Sequence, residues 1–190
     1  GEDDRETLVS KVRIPLLCTS LPKSGADWGY RTVMQPNADN RRLDFTQGKI
    51  IGGTSSINWM TYSRGNAADY DEWEAMGCKG WSYQEVLPYF TKSEISYLGE
   101  DRNEYHDYDG RPGPLPVSYP LPPGPLTWGF VQAAVAAGLP QTLDYNGAVQ
   151  MGVSLAQVNI GINGNRCTSA AAFLRSAVLR RSNLSVISRA

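Results

Sequence analysis

The sequence lacks the short motifs by which common enzyme sites are recognised. Its 190 residues contain no G-x-G-x-x-G, Walker A, G-x-S-x-G or H-E-x-x-H pattern. His106 is the single histidine, which excludes a multi-histidine metal site. The three cysteines, Cys18, Cys78 and Cys167, form no C-x-x-C pair. We therefore predict no metal site and interpret the cysteines as free thiols.

Strong charge of one sign and long apolar segments are also missing. The sequence has 18 Lys and Arg against 19 Asp and Glu, with a net charge of -1. A nucleic-acid or anionic-membrane partner would need a clustered positive surface. A membrane span would need about 20 apolar residues in a row. The sequence thus predicts no nucleic-acid partner and no strong membrane signal, and it leaves the oligomeric state open.

Two capping boxes mark helix starts in the middle of the chain. Asn66 with Asp69 predicts a helix that begins at the next residue, and Ser82 with Glu85 predicts a second one. Pro88 falls inside the second helix, where its ring removes a backbone donor. We therefore expect a kink or a short helix at that point.

Two further elements are predicted beyond this pair. A proline-rich connection contains one short strand over 115–118. Residues 126–138 have apolar side chains at helical spacing and few polar ones, which predicts a helix that is buried on most sides.

The last 40 residues alternate between strand and helix signals. Residues 153–160 are predicted as a strand, Thr168 or Ser169 as the cap of a following helix, and residues 183–188 as a closing strand. This order of elements suits an α/β or mixed α+β layer architecture.

The stretch that suggests chemistry is Gly48 to Asn58, "GKIIGGTSSIN". Gly52 and Gly53 can adopt positive φ and lack Cβ atoms, so a ligand can approach the backbone closely. The three hydroxyl residues that follow favour a helix start, where free amides could face an anion. Asn58 adds a side chain that both donates and accepts hydrogen bonds. On the residues alone, a cradle for phosphate or carbonyl oxygen and a plain glycine turn into a capped helix both remain open.

This stretch and those around it resemble the glucose–methanol–choline (GMC) flavoprotein oxidoreductases. The likeness runs in order along nearly the whole chain. It includes residues 48–58, Tyr62, Arg64–Asn66, Asp69–Trp73, Gly80–Ser82, Val86–Phe90, Ser93–Glu94, His106, Gly113–Leu115 and the final segment 164–188.

The resemblance implies an FAD-binding Rossmann-like domain interleaved with a substrate domain. Residues 1–62 and 161–190 would then belong to the FAD domain. Residues 63–160 would supply the flavin lid and part of the substrate domain. The family's G-x-G-x-x-G unit and its late catalytic histidine have no counterpart here, so the sequence is interpreted as an internal segment. His106 does not match the catalytic histidine and is interpreted as a structural or surface residue.

The same resemblance assigns cofactor residues by position. Four would pass the pyrophosphate and the flavin edge: Ile51, Gly52, Gly53 and Thr54, the last donating through its hydroxyl or its amide. Four would line the isoalloxazine ring: Asn58, Trp59, Met60 and Thr61. Ile57 stands where some members carry a histidine bonded to the flavin, so we predict FAD that is bound non-covalently. No catalytic residue is assigned.

The implied activity is oxidation of a small-molecule alcohol CH–OH group, with hydride transfer to flavin N5. Two alternatives remain at this stage. One is a truncated or binding fragment without catalytic activity. The other is a lyase or decarboxylase on the same scaffold, because fold does not fix chemistry.

Overall fold

The computed structural model describes residues 5–99, 104–106, 112–120, 123–174 and 180–187. Within these ranges the secondary structure mixes helices with short strands, which confirms the predicted α/β (mixed α+β) class. In chain order the elements are α1 Arg5–Arg13, β1 Tyr30–Arg31, β2 Asp44–Phe45, α2 Ala67–Ala75, α3 Tyr83–Ser93, β3 Glu94–Ser96, β4 Leu115–Val117, α4 Pro125–Ala136 and α5 Ser169–Phe173.

The described residues divide into two compact units. The first, here called the split unit, contains the residues up to Met60 together with those from Asn163 onward. The second, here called the middle unit, runs from Thr61 to Ile162. This division does not say which unit binds a cofactor, so the assignment of residues 1–62 and 161–190 to an FAD domain stays a prediction.

The split unit is built mostly from turns around a small core. Strands β1 and β2 pair antiparallel, with Tyr30 opposite Phe45. Short 3₁₀ helices form at Pro15–Ser20 and Gly53–Ser56. The core is a cluster of four buried apolar side chains: Val12, Leu21, Ala26 and Ile57. Ile57, which is 2% exposed, ties the glycine-rich stretch to this core.

The middle unit begins with the two predicted helices. The Asn66 side chain accepts a hydrogen bond from the start of α2, and Asp69 completes the capping box. At α3, the Glu85 carboxylate accepts hydrogen bonds from the amide and the hydroxyl of Ser82. Both capping predictions are therefore confirmed. Helix α3 continues through Pro88 to its last residue without interruption.

A parallel two-stranded sheet follows α3 directly. Strands β3 and β4 pair with Glu94 opposite Leu115 and Ser96 opposite Val117, so the predicted strand at 115–118 is confirmed. The unit's core packs Tyr62, Leu98 and Val117 together.

Helix α4 forms where the sequence predicts a helix, but its predicted burial is wrong. Val131 is its only buried residue, while Leu126 and Phe130 are largely exposed. An apolar composition makes burial favourable only if another element lies against each face. Within the described residues, packing covers only the side of α4 that carries Val131.

Two strand predictions near the end of the chain are wrong. Residues 153–160 form isolated bridges, with Val153 against Gln141 and Val158 against Thr61 and Ser118, instead of a strand. Residues 183–187 are turn and coil. A β-propensity pattern forms a ladder only when a partner strand lies alongside it.

Thr168 caps α5 through a hydrogen bond from the Ala171 amide, as predicted. Helix α5 is described as far as Phe173, and the rest of the predicted helix, residues 175–179, lies outside the described residues. None of the three cysteines, all of which lie in the described residues, forms a disulfide, as predicted. In the described ranges no helix has the length and apolarity needed to cross a membrane, and no group of three acidic, histidine or cysteine side chains could hold a metal ion.

Candidate functional site

The glycine-rich stretch of the split unit forms a tight loop and a single helical turn. Gly52 and Gly53 both have positive φ, 96° and 55°. The turn that follows is the 3₁₀ helix Gly53–Ser56, and Asn58 lies outside it. The expected helix start is therefore a single 3₁₀ turn. Of its amides, that of Gly53 donates to the Ile50 carbonyl at 2.8 Å.

The hydroxyl groups of this loop stabilise the loop itself. Ser55 Oγ donates to the Gly52 carbonyl at 2.5 Å, and Ser56 Oγ donates to the Ile51 carbonyl at 3.1 Å. Thr54 Oγ1 donates to Gln47 Oε1 at 3.0 Å. The Thr54 hydroxyl proton is therefore already engaged. Of the two donors predicted at this residue, the backbone amide is the one that could serve a cofactor without breaking this contact.

The two adjacent glycines are required for different reasons. A Cβ atom at Gly52 would lie 2.6 Å from Ser56 Oγ and 3.3 Å from Thr168 Cβ. A Cβ atom at Gly53 would meet nothing within 4 Å. Gly52 thus allows the loop to pack against its own chain, whereas Gly53 leaves the backbone open to a ligand.

Asn58 follows the loop and has a well-defined set of partners. Its Oδ1 accepts a hydrogen bond from the Met60 amide at 2.9 Å and another from Arg166 Nη1 at 3.0 Å. Met60 has a φ of 62°, an uncommon left-handed conformation for a residue with a Cβ atom. The contact from its amide to Asn58 holds this conformation in place.

Arg166 is a candidate functional residue that the sequence motifs did not predict. It is 5% exposed, and its Nε and Nη1 donate to the Val12 and Ser55 carbonyls at 2.9 and 3.2 Å. Among the described residues, no carboxylate pairs with it and its Nη2 has no hydrogen-bond partner. Burial lowers the pKa of this guanidinium. No short-range pattern indicates this role, because its partners Val12, Ser55 and Asn58 lie 154, 111 and 108 residues away along the chain.

The other predicted cofactor residues differ in exposure. The side chains of Ile51 and Trp59 are exposed, Trp59 at 68%, whereas Met60 is buried in the split unit. Thr61 is exposed and opens the middle unit, where it bridges to Val158. The roles of all eight predicted residues stay predictions.

The middle unit contains a buried polar cluster around His106. Each ring nitrogen of His106 contacts a carboxylate: Nδ1 contacts Glu94 Oε1, and Nε2 lies 2.9 Å from Asp144 Oδ2. Arg64 Nη2 lies 2.8 Å from the other oxygen of Glu94. The His106 side chain has no exposed surface. With both nitrogens engaged and no access for a substrate, this histidine is structural and not a catalytic base.

Three groups around His106 have shifted pKa values. Burial opposes the charged form of His106, but hydrogen bonds to Asp144 and Glu94 outweigh it and raise its pKa. Burial would raise the pKa of Asp144, yet hydrogen bonds from His106 and Gln157 lower it to about 2. The pKa of Glu94 is lowered against burial by His106 and Arg64. Because a ring flanked by two carboxylates is stable as a cation, the cluster combines two positive and two negative groups.

Solved structures similar to this fold define the class of protein. A pyridoxine 4-oxidase from Mesorbium loti superimposes with a TM-score of 0.82 and 33% identity, covering 92% of this chain and 34% of that one. An FAD-dependent oxidoreductase from Chaetomium thermophilum superimposes with a TM-score of 0.70 and 31% identity, covering 78% of this chain and 27% of that one. The matched folds are therefore those of oxidoreductases.

The family follows from the sequence comparisons. The GMC oxidoreductase family model matches residues 16–190, and the chain belongs to this family. The oxygen-dependent choline dehydrogenase of Sinorhizobium fredii is 44% identical over 161 residues, or 85% of this chain. That of Vibrio vulnificus is 41% identical over 162 residues, or 84% of this chain. The chain spans 28% of the length of these relatives. FAD is the cofactor of this family.

Proposed function

We propose that this chain forms the flavin-facing part of an FAD-dependent oxidoreductase that oxidises a small alcohol. The observation that carries the proposal is the Gly48–Asn58 loop of the split unit. The loop lies in the segment that the family model matches, its sequence resembles the family's first signature, and its geometry leaves space for a ligand at Gly53. When bound, FAD would accept the hydride from the alcohol carbon at flavin N5.

The split unit offers groups that fit such a cofactor. Gly53 provides accessible backbone, and the Asn58 amide nitrogen has no partner among the described residues. FAD presents phosphate oxygens, flavin carbonyls and ring nitrogens, and these are acceptors that would satisfy such donors. In this proposal Ile51, Gly52, Gly53 and Thr54 pass the pyrophosphate and flavin edge. Asn58, Trp59, Met60 and Thr61 line the ring.

The domain assignment belongs to the same proposal. Residues 1–62 and 161–190 would form part of the FAD domain, and residues 63–160 the flavin lid and part of the substrate domain. The two compact units, with boundaries at Met60 and Asn163, are consistent with this division.

We further propose that FAD is bound without a covalent link to this chain. Ile57, the residue at the position of the linking histidine, packs in the core of the split unit with 2% exposure. An aliphatic side chain offers no atom for such a bond. Acid precipitation of the purified protein should therefore release all of its flavin into the supernatant, and flavin retained in the pellet would contradict this expectation.

The substrate proposal is a small alcohol, with choline as the first candidate because the similar relatives are named as choline dehydrogenases. The test uses the whole protein, purified with FAD and mixed with alcohols under anaerobic conditions. We expect loss of the visible flavin absorbance with at least one alcohol. A protein that binds no FAD would contradict the cofactor proposal. A flavin that no alcohol reduces would favour the non-catalytic or lyase alternative.

A further inference from the structure

The orientation of the Asn58 carboxamide follows from the chemistry of its neighbours. The Met60 amide and the Arg166 guanidinium can donate hydrogen bonds but cannot accept them. Both lie within 3.0 Å of the same carboxamide atom, so that atom must be the oxygen. A rotated amide would place its own N–H groups against two donors and lose both hydrogen bonds. The Asn58 NH₂ group therefore points away from Arg166.

Arg166 is itself held at three points. Its Nε donates to the Val12 carbonyl, and its Nη1 is shared between the Ser55 carbonyl and Asn58 Oδ1. A planar guanidinium fixed by two backbone carbonyls cannot swing away from its third partner. The arginine comes from a part of the chain 108 residues beyond Asn58, so neither local turn geometry nor neighbouring sequence supplies this contact.

The hydrogen bonds around Arg166 are a poor way to stabilise the fold alone. Burying a charge is unfavourable unless it is paired, and three neutral oxygens compensate for burial less well than a carboxylate does. Among the described residues Arg166 has no such pair, and one of its nitrogens is unsatisfied. A role in setting the geometry of a neighbour accounts for a buried arginine at this position.

We propose that Arg166 is a positioning residue for the cofactor site. It fixes the Asn58 carboxamide with its oxygen inward, so that the Asn58 NH₂ group is presented as a donor to an acceptor atom of FAD. This inference rests on the proposed function, because Asn58 is a cofactor residue only if the chain binds FAD as proposed. Arg166 acts through Asn58 in this proposal and does not itself touch the flavin.

The test is a double-mutant cycle on FAD affinity in the whole protein. The wild type, Asn58→Leu, Arg166→Met and the double variant are prepared without flavin and titrated with FAD, and bound flavin is followed by fluorescence and visible absorbance. We expect each single variant to bind about 10-fold more weakly, the size of one hydrogen bond. The double variant should bind no more weakly than the weaker single variant. The visible spectrum of bound flavin should change in the same way in both single variants.

The outcomes separate this inference from the function on which it rests. If Arg166→Met weakens binding as much in the Asn58→Leu background as in the wild type, Arg166 acts independently of Asn58 and the inference is overturned. An unchanged affinity in Arg166→Met, beside a loss in Asn58→Leu, overturns it as well. If Asn58→Leu itself binds FAD normally, or if the wild type binds none, the proposed cofactor site fails.

Two further variants guard against loss of folding. Arg41→Met is the matched control, since Arg41 is an exposed arginine of the split unit that does not contact Asn58, and it should bind FAD normally. Arg166→Lys keeps the charge and one donor, so it should lose only about 3-fold in affinity, less than a full hydrogen bond is worth. If Arg166→Met does not fold, the cycle is built with Arg166→Lys. Additive losses there overturn the inference in the same way.

Discussion

The two units each bury an arginine, and the two arginines differ in what surrounds them. Arg64 of the middle unit is 3% exposed and lies 2.8 Å from the Glu94 carboxylate. It also donates to Tyr62 Oη at 3.1 Å and to the Asn146 carbonyl at 3.4 Å. Arg166 of the split unit is equally buried, yet all its described partners are neutral oxygens and its Nη2 has none.

The partners of Arg64 belong to a larger network in which positive and negative groups balance. This network is called the closed network below. His106 contacts both Glu94 and Asp144, whose hydrogen bonds raise its pKa against burial. In its protonated form, two cations face two carboxylates. Gln157 Nε2 donates to Asp144 Oδ1, and its Oε1 accepts from the Asn146 amide. Such a satisfied network specifies one arrangement of the middle unit and leaves no donor for a ligand.

The difference indicates how to tell a structural polar cluster from a functional one. Both contain buried charge, so burial alone does not distinguish them. The middle-unit cluster has complementary charge and partners for its buried atoms, as a stabilising core should. The split-unit cluster has a buried charge without a carboxylate partner. Beside it lie the open Gly53 backbone and the Asn58 NH₂ group, as expected of a site that receives a ligand.

The largest expected effect comes from breaking the closed network. Glu94→Gln removes the carboxylate shared by Arg64 and His106 and leaves buried positive charge uncompensated. We expect the free energy of unfolding to fall by about 3–5 kcal/mol, measured by urea denaturation. Glu72→Gln on the exposed face of α2 is the matched control and should change stability by less than about 0.5 kcal/mol. Equal effects of the two substitutions would contradict a closed network.

An intermediate effect is expected from the two glycines of the open loop. Gly52→Ala must adopt positive φ and also places a Cβ atom against Ser56, so we expect a loss of about 2–4 kcal/mol in unfolding free energy. Gly53→Ala has open space around the new methyl group, so only the strain of positive φ remains. We expect it to lower the unfolding free energy by about 1–2 kcal/mol.

The same pair of variants distinguishes packing from ligand approach. Gly53→Ala should weaken FAD binding by more than its loss of stability, because its methyl group points into the space offered to the cofactor. Gly52→Ala should act mainly on folding, as measured by thermal unfolding without flavin. If Gly52→Ala instead weakened FAD binding while Gly53→Ala affected only folding, the cofactor would approach Gly52, and our assignment of the open position to Gly53 would be wrong.

The smallest effect is a gradual dependence of stability on pH from His106 and Asp144. The pKa of His106 is raised above its ordinary 6.5 by its carboxylate partners against the effect of burial. Its stabilisation is therefore complete below pH 6.5 and is lost as pH rises through the folded-state pKa. The pKa of Asp144 is lowered from 3.8 to about 2, so its stabilisation is present above pH 3.8 and is lost as pH falls toward 2.

Urea denaturation at several pH values measures this dependence. We expect a plateau of stability between pH 3.8 and pH 6.5, with a decline on each side. His106→Gln should remove the contribution of His106 to the alkaline decline, so the decline should be smaller than in the wild type. An alkaline decline of the same size in that variant would show that the charge of His106 does not stabilise the middle unit.

Local signals were read correctly from the sequence because they depend on neighbouring residues. The caps at Asn66, Ser82 and Thr168 and the short strand at 115–118 formed as expected. The strands at 153–160 and 183–188 and the burial of α4 were predicted wrongly. Each of these depends on a partner element, and propensity does not report whether a partner is there.

The sequence alone determined the family, the mixed fold class and the place of the glycine loop, because these follow from residue types at fixed spacing along the chain. Only the tertiary structure decided that the loop's hydroxyls bond to the loop's own carbonyls and to Gln47, and that Gly53, not Gly52, is open. It also decided that Arg166 reaches Asn58 and that His106 is enclosed by Glu94 and Asp144. These contacts join residues far apart in the chain, and folding brings them together through packing that no short sequence window contains.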